Sequence, residues 1–228
     1  MVWVALVALV AVVAALTTGV VTGDGTVRID GPVLDWAVAQ RADGLTPVAR
    51  MITDFGDTLS MTILAVLMGA WLAWRQRWPE LALTAVVGAG AGLTVLVMKA
   101  LVGRRRPGVE HLVTETTHSF PSGHTLGSTA VVGVVTAVTV LSLRQRILRA
   151  AVAAVAVLFV LAVGMSRVYL GVHWPTDVLA GWALGALWTI AGVASLRRYT
   201  ARAGTAHRTK TEATEAESAT GLSPTTRR

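Results

Sequence analysis

Seven polar side chains in this chain have the types and the grouping to move a phosphoryl group: Lys99, Arg106, Ser122, His124, Arg167, His173 and Asp177. The three cations can neutralise the equatorial oxygens of a phosphoryl group and of its transition state. Arginine brings a planar fork for bidentate contact, and lysine a point charge. Gly123 opens an apolar run, where the free N–H groups and dipole of a helix start favour an anion, and Ser122 adds a hydroxyl. One histidine can attack phosphorus as a neutral imidazole and the other can protonate the leaving oxygen; residue types alone leave the assignment open. Asp177 follows His173 by four residues, with Pro175 between them suited to a first helical turn. A carboxylate so placed can hold one imidazole nitrogen and aim the other. Two histidines and an aspartate could form a facial metal triad, but three neighbouring cations would repel a divalent ion. Catalysis without a metal or other cofactor is the expectation.

These residues are far apart in sequence, so helices must bring them together. Six apolar, charge-free runs cover 2–22, 58–74, 81–98, 125–143, 150–166 and 178–196, each 17 to 21 residues long. About 20 helical residues cross a bilayer core of ~30 Å. The runs lack the alternation of barrel strands, so the fold class is all-α, a polytopic membrane protein with six transmembrane helices. The composition agrees: 54% hydrophobic, 14% charged, and a mean hydropathy of +0.61. The first run has no basic flank and no small-x-small cleavage site before Asp24, and is read as an uncleaved span. With alternating helices, Lys99, Ser122–His124, Arg167 and His173–Asp177 all fall at one membrane surface, at the ends of helices 3 to 6.

The absence of cysteine excludes disulfides, thiolate metal sites and a cysteine nucleophile. The net charge of +7 is read as loop charge rather than as a nucleic-acid footprint. The loops 75–79 and 144–149 are short and basic, and seven more basic residues follow from Arg197. These belong on the cytoplasmic side, which places the polar constellation on the outer face of the cell membrane. Residues 1–196 are then one membrane domain and 197–228 a disordered cytoplasmic tail. Val33–Ile52 is amphipathic, either a membrane-surface segment shaping substrate access or a solvated connector. Gly88-x-x-x-Gly92 and Gly181-x-x-x-Gly185 are read as sites of close helix approach.

Three strings carry a resemblance. Lys99 to Arg106-Pro107 fits K-x6-R-P, Pro121-Ser122-Gly123-His124 fits P-S-G-H, and Ser166-Arg167 to His173 and Asp177 fits S-R-x5-H-x3-D. In this order, each at a span end, they resemble the type 2 phosphatidic acid phosphatase superfamily over 2–196. The resemblance implies His173 as the nucleophile that becomes a phosphohistidine, Asp177 as its orienting group, and His124 as general acid and then base. Lys99, Arg106, Pro107, Ser122, Gly123 and Arg167 would bind phosphate. A membrane lipid is the implied partner, with undecaprenyl diphosphate, phosphatidic acid or phosphatidylglycerol phosphate as the implied substrate. The lipid and the oligomeric state are left open. A phosphotransferase using the same intermediate is the nearest alternative. A transporter fits less well, because no span interior carries a charge. Arg104 and Arg105 are read as surface anchors or, on a diphosphate substrate, as contacts to its second phosphate. His111, His118, Glu110 and Glu115 receive no role, and Trp71, Trp74, Trp78 and Trp174 are read as interfacial belts.

Overall fold

The computed structural model describes residues 2–220, with side chains through 203 and at 205. Among the described residues there are helices and loops and no strands. Eight α-helices follow in order: α1 (Val2–Thr22), α2 (Asp30–Ala39), α3 (Leu45–Phe55), α4 (Thr58–Trp74), α5 (Trp78–Val102), α6 (Gly123–Ser142), α7 (Arg146–Tyr169) and α8 (Pro175–Thr220). A 3₁₀ turn, Gly25–Ile29, joins α1 to α2. Five helices are long and apolar enough to cross a membrane, and α3 with α4 makes a sixth if that pair, bent by 45°, counts as one span. The six expected runs therefore sit on α1, α4, α5, α6, α7 and α8. Large apolar side chains such as Val4 (72% exposed), Leu96 (68%) and Leu158 (67%) point outward. That arrangement suits a surface solvated by lipid rather than water.

The helix ends follow local chemistry. Asp57 caps α4 by accepting from Ser60 N at 2.6 Å, and Ser122 caps α6 by accepting from Thr125 N at 3.4 Å. Pro79 lies in the first turn of α5, and Gly103 closes that helix at φ 62°, a left-handed C-cap that favours glycine. The α3–α4 bend falls at Gly56, where an added Cβ would lie 2.6 Å from a Val163 methyl of α7. Glycine is thus required for that corner to pack.

The two small-residue pairs behave differently. A Cβ on Gly181 would meet Thr125 Cβ at 2.8 Å, and one on Gly185 would meet Thr129 Cβ at 2.5 Å, so this pair is the contact between α8 and α6. Gly88 and Gly92 have nothing within 4 Å of a built Cβ. They line an apolar groove between α4, α5 and α6, which corrects the expectation of close approach there.

The amphipathic stretch 33–52 forms parts of α2 and α3, joined by a short turn. Leu34 and Ala37 of α2 pack with Val168 and Val178 of α7 and α8. Two compact units divide the chain, Met1–Val193 and Ala194–Arg228. Residues 197–220, expected to be disordered, continue α8 as helix to Thr220. No proline interrupts the chain between Thr176 and Ser223, so nothing local forces a stop. Residues 221–228 of the expected tail lie outside the described residues.

Candidate active site

Lys99 lies in the last turn of α5 and Arg167 in the last turn of α7. Ser122, Gly123 and His124 open α6, and Asp177 lies in the first turn of α8. A backbone bond from Ser122 N to the Asp177 carbonyl, 3.1 Å, ties the two helix starts together. The three motifs thus meet at one end of the helices.

His173 and Asp177 are 1% and 0% exposed. Their i, i+4 spacing spans the entrance to α8 and sets His173 Nδ1 3.3 Å from Asp177 Oδ2. The same carboxylate oxygen accepts from Ser119 Oγ and from Trp174 N at 3.0 Å. Oδ1 accepts from Arg104 Nη1 at 2.6 Å. With the carboxylate accepting from Nδ1–H, Nε2 is left with its lone pair, and Arg106 Nη1 stands 3.3 Å from it. Burial, opposed by Asp177, lowers the His173 pKa to about 4, so the imidazole is neutral at pH 7.

Arg106 is braced by carbonyls: Nε donates to Thr117 O at 2.8 Å and Nη1 to Val172 O at 2.6 Å. Its free edge, Nη2, reaches Glu115 Oε2 at 3.2 Å. Burial pulls the Arg106 pKa down from its usual value, against the pull of Glu115 and Asp177. Arg167, 1% exposed, donates to Thr53 Oγ1 of α3 at 2.7 Å and through Nη2 to Glu115 Oε1. Its Nε is buried with no hydrogen-bond partner among the described residues. Lys99 Nζ donates to Thr117 Oγ1 at 2.7 Å. The Ser122 hydroxyl is engaged with Thr125 Oγ1 at 2.9 Å. Gly123 leaves the α6 start uncovered, and a Cβ there would press on Val95 at 3.3 Å. Pro107 is buried, and its carbonyl lies 2.9 Å from His111 Nε2.

His124 is held differently. Its side chain is 21% exposed, and its nearest ionic neighbour is Glu115 Oε1, 3.9 Å from Nδ1. Glu115 therefore touches both guanidinium groups and approaches the second histidine. Burial raises its pKa, but Arg167 and Arg106 together outweigh that and hold it below the usual carboxylate range. A carboxylate in this position marks where the site accepts an anion.

Six residues escape a reading of the sequence alone. The motifs give no role to Glu115, Ser119, Thr53 or Asp30. Arg104 corrects the surface-anchor expectation: its side chain is 11% exposed and paired with the buried Asp30 and Asp177. Trp174 is likewise no mere belt residue, since its ring stacks under Arg104 at 5.2 Å and its Nε1 donates to Arg105 O at 3.0 Å. Two features could have flagged the aspartate–arginine pair: an acidic residue at the start of an amphipathic helix, and a second arginine inside K-x6-R-P.

The sequence family described as the PAP2 superfamily matches residues 79–201. Phosphatidylglycerophosphatase B of Bacillus subtilis (strain 168) is 37% identical over 157 residues, which cover 66% of this chain and 75% of that protein. Decaprenylphosphoryl-5-phosphoribose phosphatase of Mycobacterium tuberculosis is 33% identical over 150 residues, 63% of this chain and 76% of its own length. The crystal structure of a transmembrane PAP2-type phosphatidylglycerolphosphate phosphatase from Bacillus subtilis superposes with a TM-score of 0.79 at 31% identity, covering 85% of this chain and 96% of that one. The matched residues contain all three motifs and the four helix ends that carry the cations, histidines and aspartate, and on these grounds the chain belongs to the PAP2 superfamily, as a multi-span membrane protein related to phosphatases.

Proposed function

We propose that the protein removes the terminal phosphate of a lipid phosphate or diphosphate, without a metal, through a phosphohistidine on His173. One observation carries this reading: Glu115 bridges two guanidiniums, Arg106 and Arg167, and Arg106 stands 3.3 Å from Nε2 of a buried, carboxylate-held imidazole. Phosphate would replace the Glu115 carboxylate on Arg106 and Arg167, with Lys99 and the α6 N-terminus completing the cradle. The unpartnered Arg167 Nε is a donor suited to the added oxygens of a phosphoryl group.

In the first step His173 Nε2 forms the N–P bond and the P–O bond to the lipid breaks. The lipid oxygen takes a proton from His124. In the second step neutral His124 takes a proton from water, and the water oxygen attacks phosphorus. The N–P bond breaks, inorganic phosphate leaves, and His173 is regenerated. Charge on the equatorial oxygens is met by the fixed cations, which supply the electrostatic stabilisation a metal gives elsewhere.

The groove between α4, α5 and α6 supports a lipid substrate. It has a volume of about 630 Å³ and runs from Asp57 and Gly123 beside the site to Gly69 and Leu81 deeper in the span. Its lining is almost wholly apolar, and Gly88 and Gly92 keep it open. A headgroup at the cations and a chain in the groove would be compatible at once. The basic segments 75–79 and 144–149 lie at the opposite ends of the spans, which supports an outward-facing site.

The test is phosphate release by purified protein in detergent with EDTA, from undecaprenyl diphosphate, phosphatidic acid, phosphatidylglycerol phosphate and a polyprenyl-linked sugar phosphate. Release from at least one lipid, blocked by vanadate and unaffected by EDTA, is the expected result. Activity lost to EDTA and restored by magnesium would overturn the metal-free mechanism. Phosphate appearing on an added alcohol instead of water would make the enzyme a phosphotransferase.

A further inference from the structure

We infer that Arg104 and Asp30 form a positioning pair that holds Asp177, and through it the His173 imidazole, in the attacking geometry. This rests on the reading of His173 as nucleophile, and extends it to two residues that touch no substrate.

The observation is a buried chain of charge. Asp30 is 2% exposed and Asp177 is 0% exposed. Arg104 lies between them, with Nη2 2.6 Å from Asp30 Oδ2 and Nη1 2.6 Å from Asp177 Oδ1. The guanidinium also donates to Thr176 Oγ1 at 2.8 Å and stacks on Trp174. Asp30 in turn accepts from Thr176 N at 2.9 Å and Thr176 Oγ1 at 2.7 Å, so it grips the first turn of α8 from outside that helix. The arrangement is satisfied on every side. Among the described residues, Asp177 spends Oδ2 on Ser119, Trp174 N and His173, and Oδ1 on Arg104 alone. Removal of Arg104 would free one oxygen of that carboxylate to rotate and would leave two buried carboxylates without their shared cation.

Charge arithmetic distinguishes this role from simple packing. Asp30, Arg104 and Asp177 sum to one negative charge. Arg104→Gln makes the sum two negative, Asp30→Asn makes it zero, and the double variant restores one negative. A cation near Asp177 disfavours the imidazolium of His173, and a further carboxylate favours it. The other charged or titratable groups that bear on the dyad are Lys99 of α5, Arg106 and Glu115 of the following loop, His124 of α6 and Arg167 of α7. All of these are unchanged across the variants.

The experiment measures steady-state hydrolysis of a soluble aryl phosphate and acid-quenched phosphoenzyme across pH 4–9, with wild-type protein and Arg104→Gln, Asp30→Asn and the double variant, each purified in detergent. In Arg104→Gln, kcat should fall about 10²-fold with KM within about threefold, since a small misplacement of a reacting group costs that much. The acid limb of kcat should move up in Arg104→Gln and down in Asp30→Asn. The double variant should recover at least a tenfold part of the Arg104→Gln loss and return the limb toward wild type. If Arg104→Gln does not fold, Arg104→Lys replaces it. An ammonium keeps the charge but cannot bridge both carboxylates, so kcat should drop about tenfold with the acid limb unmoved. The inference is overturned if Arg104→Gln, or Arg104→Lys in its place, keeps kcat within threefold, if the acid limbs of Arg104→Gln and Asp30→Asn shift together, or if the double variant is no better than Arg104→Gln. Absence of phosphoenzyme on His173 in the wild type would instead remove the underlying reading, whatever the variants do.

Discussion

The two histidines of the site sit in opposite kinds of surroundings. His173 is 1% exposed, with Asp177, Ser119 and Arg106 around its two ring nitrogens. The His124 side chain is 21% exposed and has no ionic partner nearer than Glu115 at 3.9 Å. The difference matches the tasks proposed for them. A nucleophile makes and breaks one bond along one direction, so a fixed tautomer and a fixed aim are an advantage. A group that serves a leaving oxygen and later a water must address two positions, and a looser ring can do so. The rigid half also draws on more of the chain. Asp30 of α2 reaches the His173–Asp177 pair through Arg104, and Thr53 of α3 reaches the cation cluster through Arg167. Arg41, in the turn between α2 and α3, donates to Tyr169 O at 3.1 Å and Glu110 O at 2.9 Å. It thereby ties that turn to the loops flanking the site.

The contrast is sharpest in the variant that removes the proposed nucleophile. His173→Ala should lose about 10⁴-fold or more of kcat with every substrate and form no phosphoenzyme in rapid-quench measurements with labelled phosphate. A phosphoenzyme that forms in His173→Ala but not in His124→Ala would reverse the two assignments. Next in size is His124→Ala, which should lose about 10²–10⁴-fold with a lipid alcohol as leaving group and much less in the first turnover of an activated aryl phosphate. The aryl substrate should then give a burst of phenolate and stall, because the base for hydrolysis is missing. Equal losses on both substrates would deny His124 the acid role.

Glu115 tests the border between the halves. Glu115→Gln removes the internal anion that competes for Arg106 and Arg167, so vanadate should inhibit about tenfold more tightly, the equivalent of ~1.4 kcal/mol. Weaker inhibition would show that the carboxylate holds the two guanidinium forks in place instead. The smallest effect expected is on stability. His173 titrates near 4 in the folded protein against an ordinary value of about 6.5. Its neutral form is therefore favoured by folding, and the native state binds fewer protons than the unfolded state between these values. The stabilisation is complete above pH ~6.5 and disappears as pH falls through 4. Melting in detergent should show a loss between pH 7 and 4 that is shallower in His173→Gln.

Much of this was legible in the residues themselves. The runs 2–22 and 58–74 coincide with α1 and α4 end to end, and the other four lie on α5, α6, α7 and α8, running at most one residue past the end. Hydrophobic length is a local property, and the bilayer sets one length for all spans. The motif residues were legible for a related reason: each sits at the end of a span, so helix parity alone brings them to one surface. What spacing could not supply is the set of contacts from segments with no motif.

That Lys99, Arg106, Ser122, His124, Arg167, His173 and Asp177 come to one end of the helices was determined by types and spacings that need only the chain and the geometry of a helix. Only the tertiary structure decided that Arg104 turns inward to two buried aspartates, that Glu115 lies across the guanidiniums, and that Gly181 meets α6 while Gly88 faces a groove. A buried ion must find its counter-ion wherever packing brings one within reach, and that partner is fixed by distance in space rather than by separation in sequence.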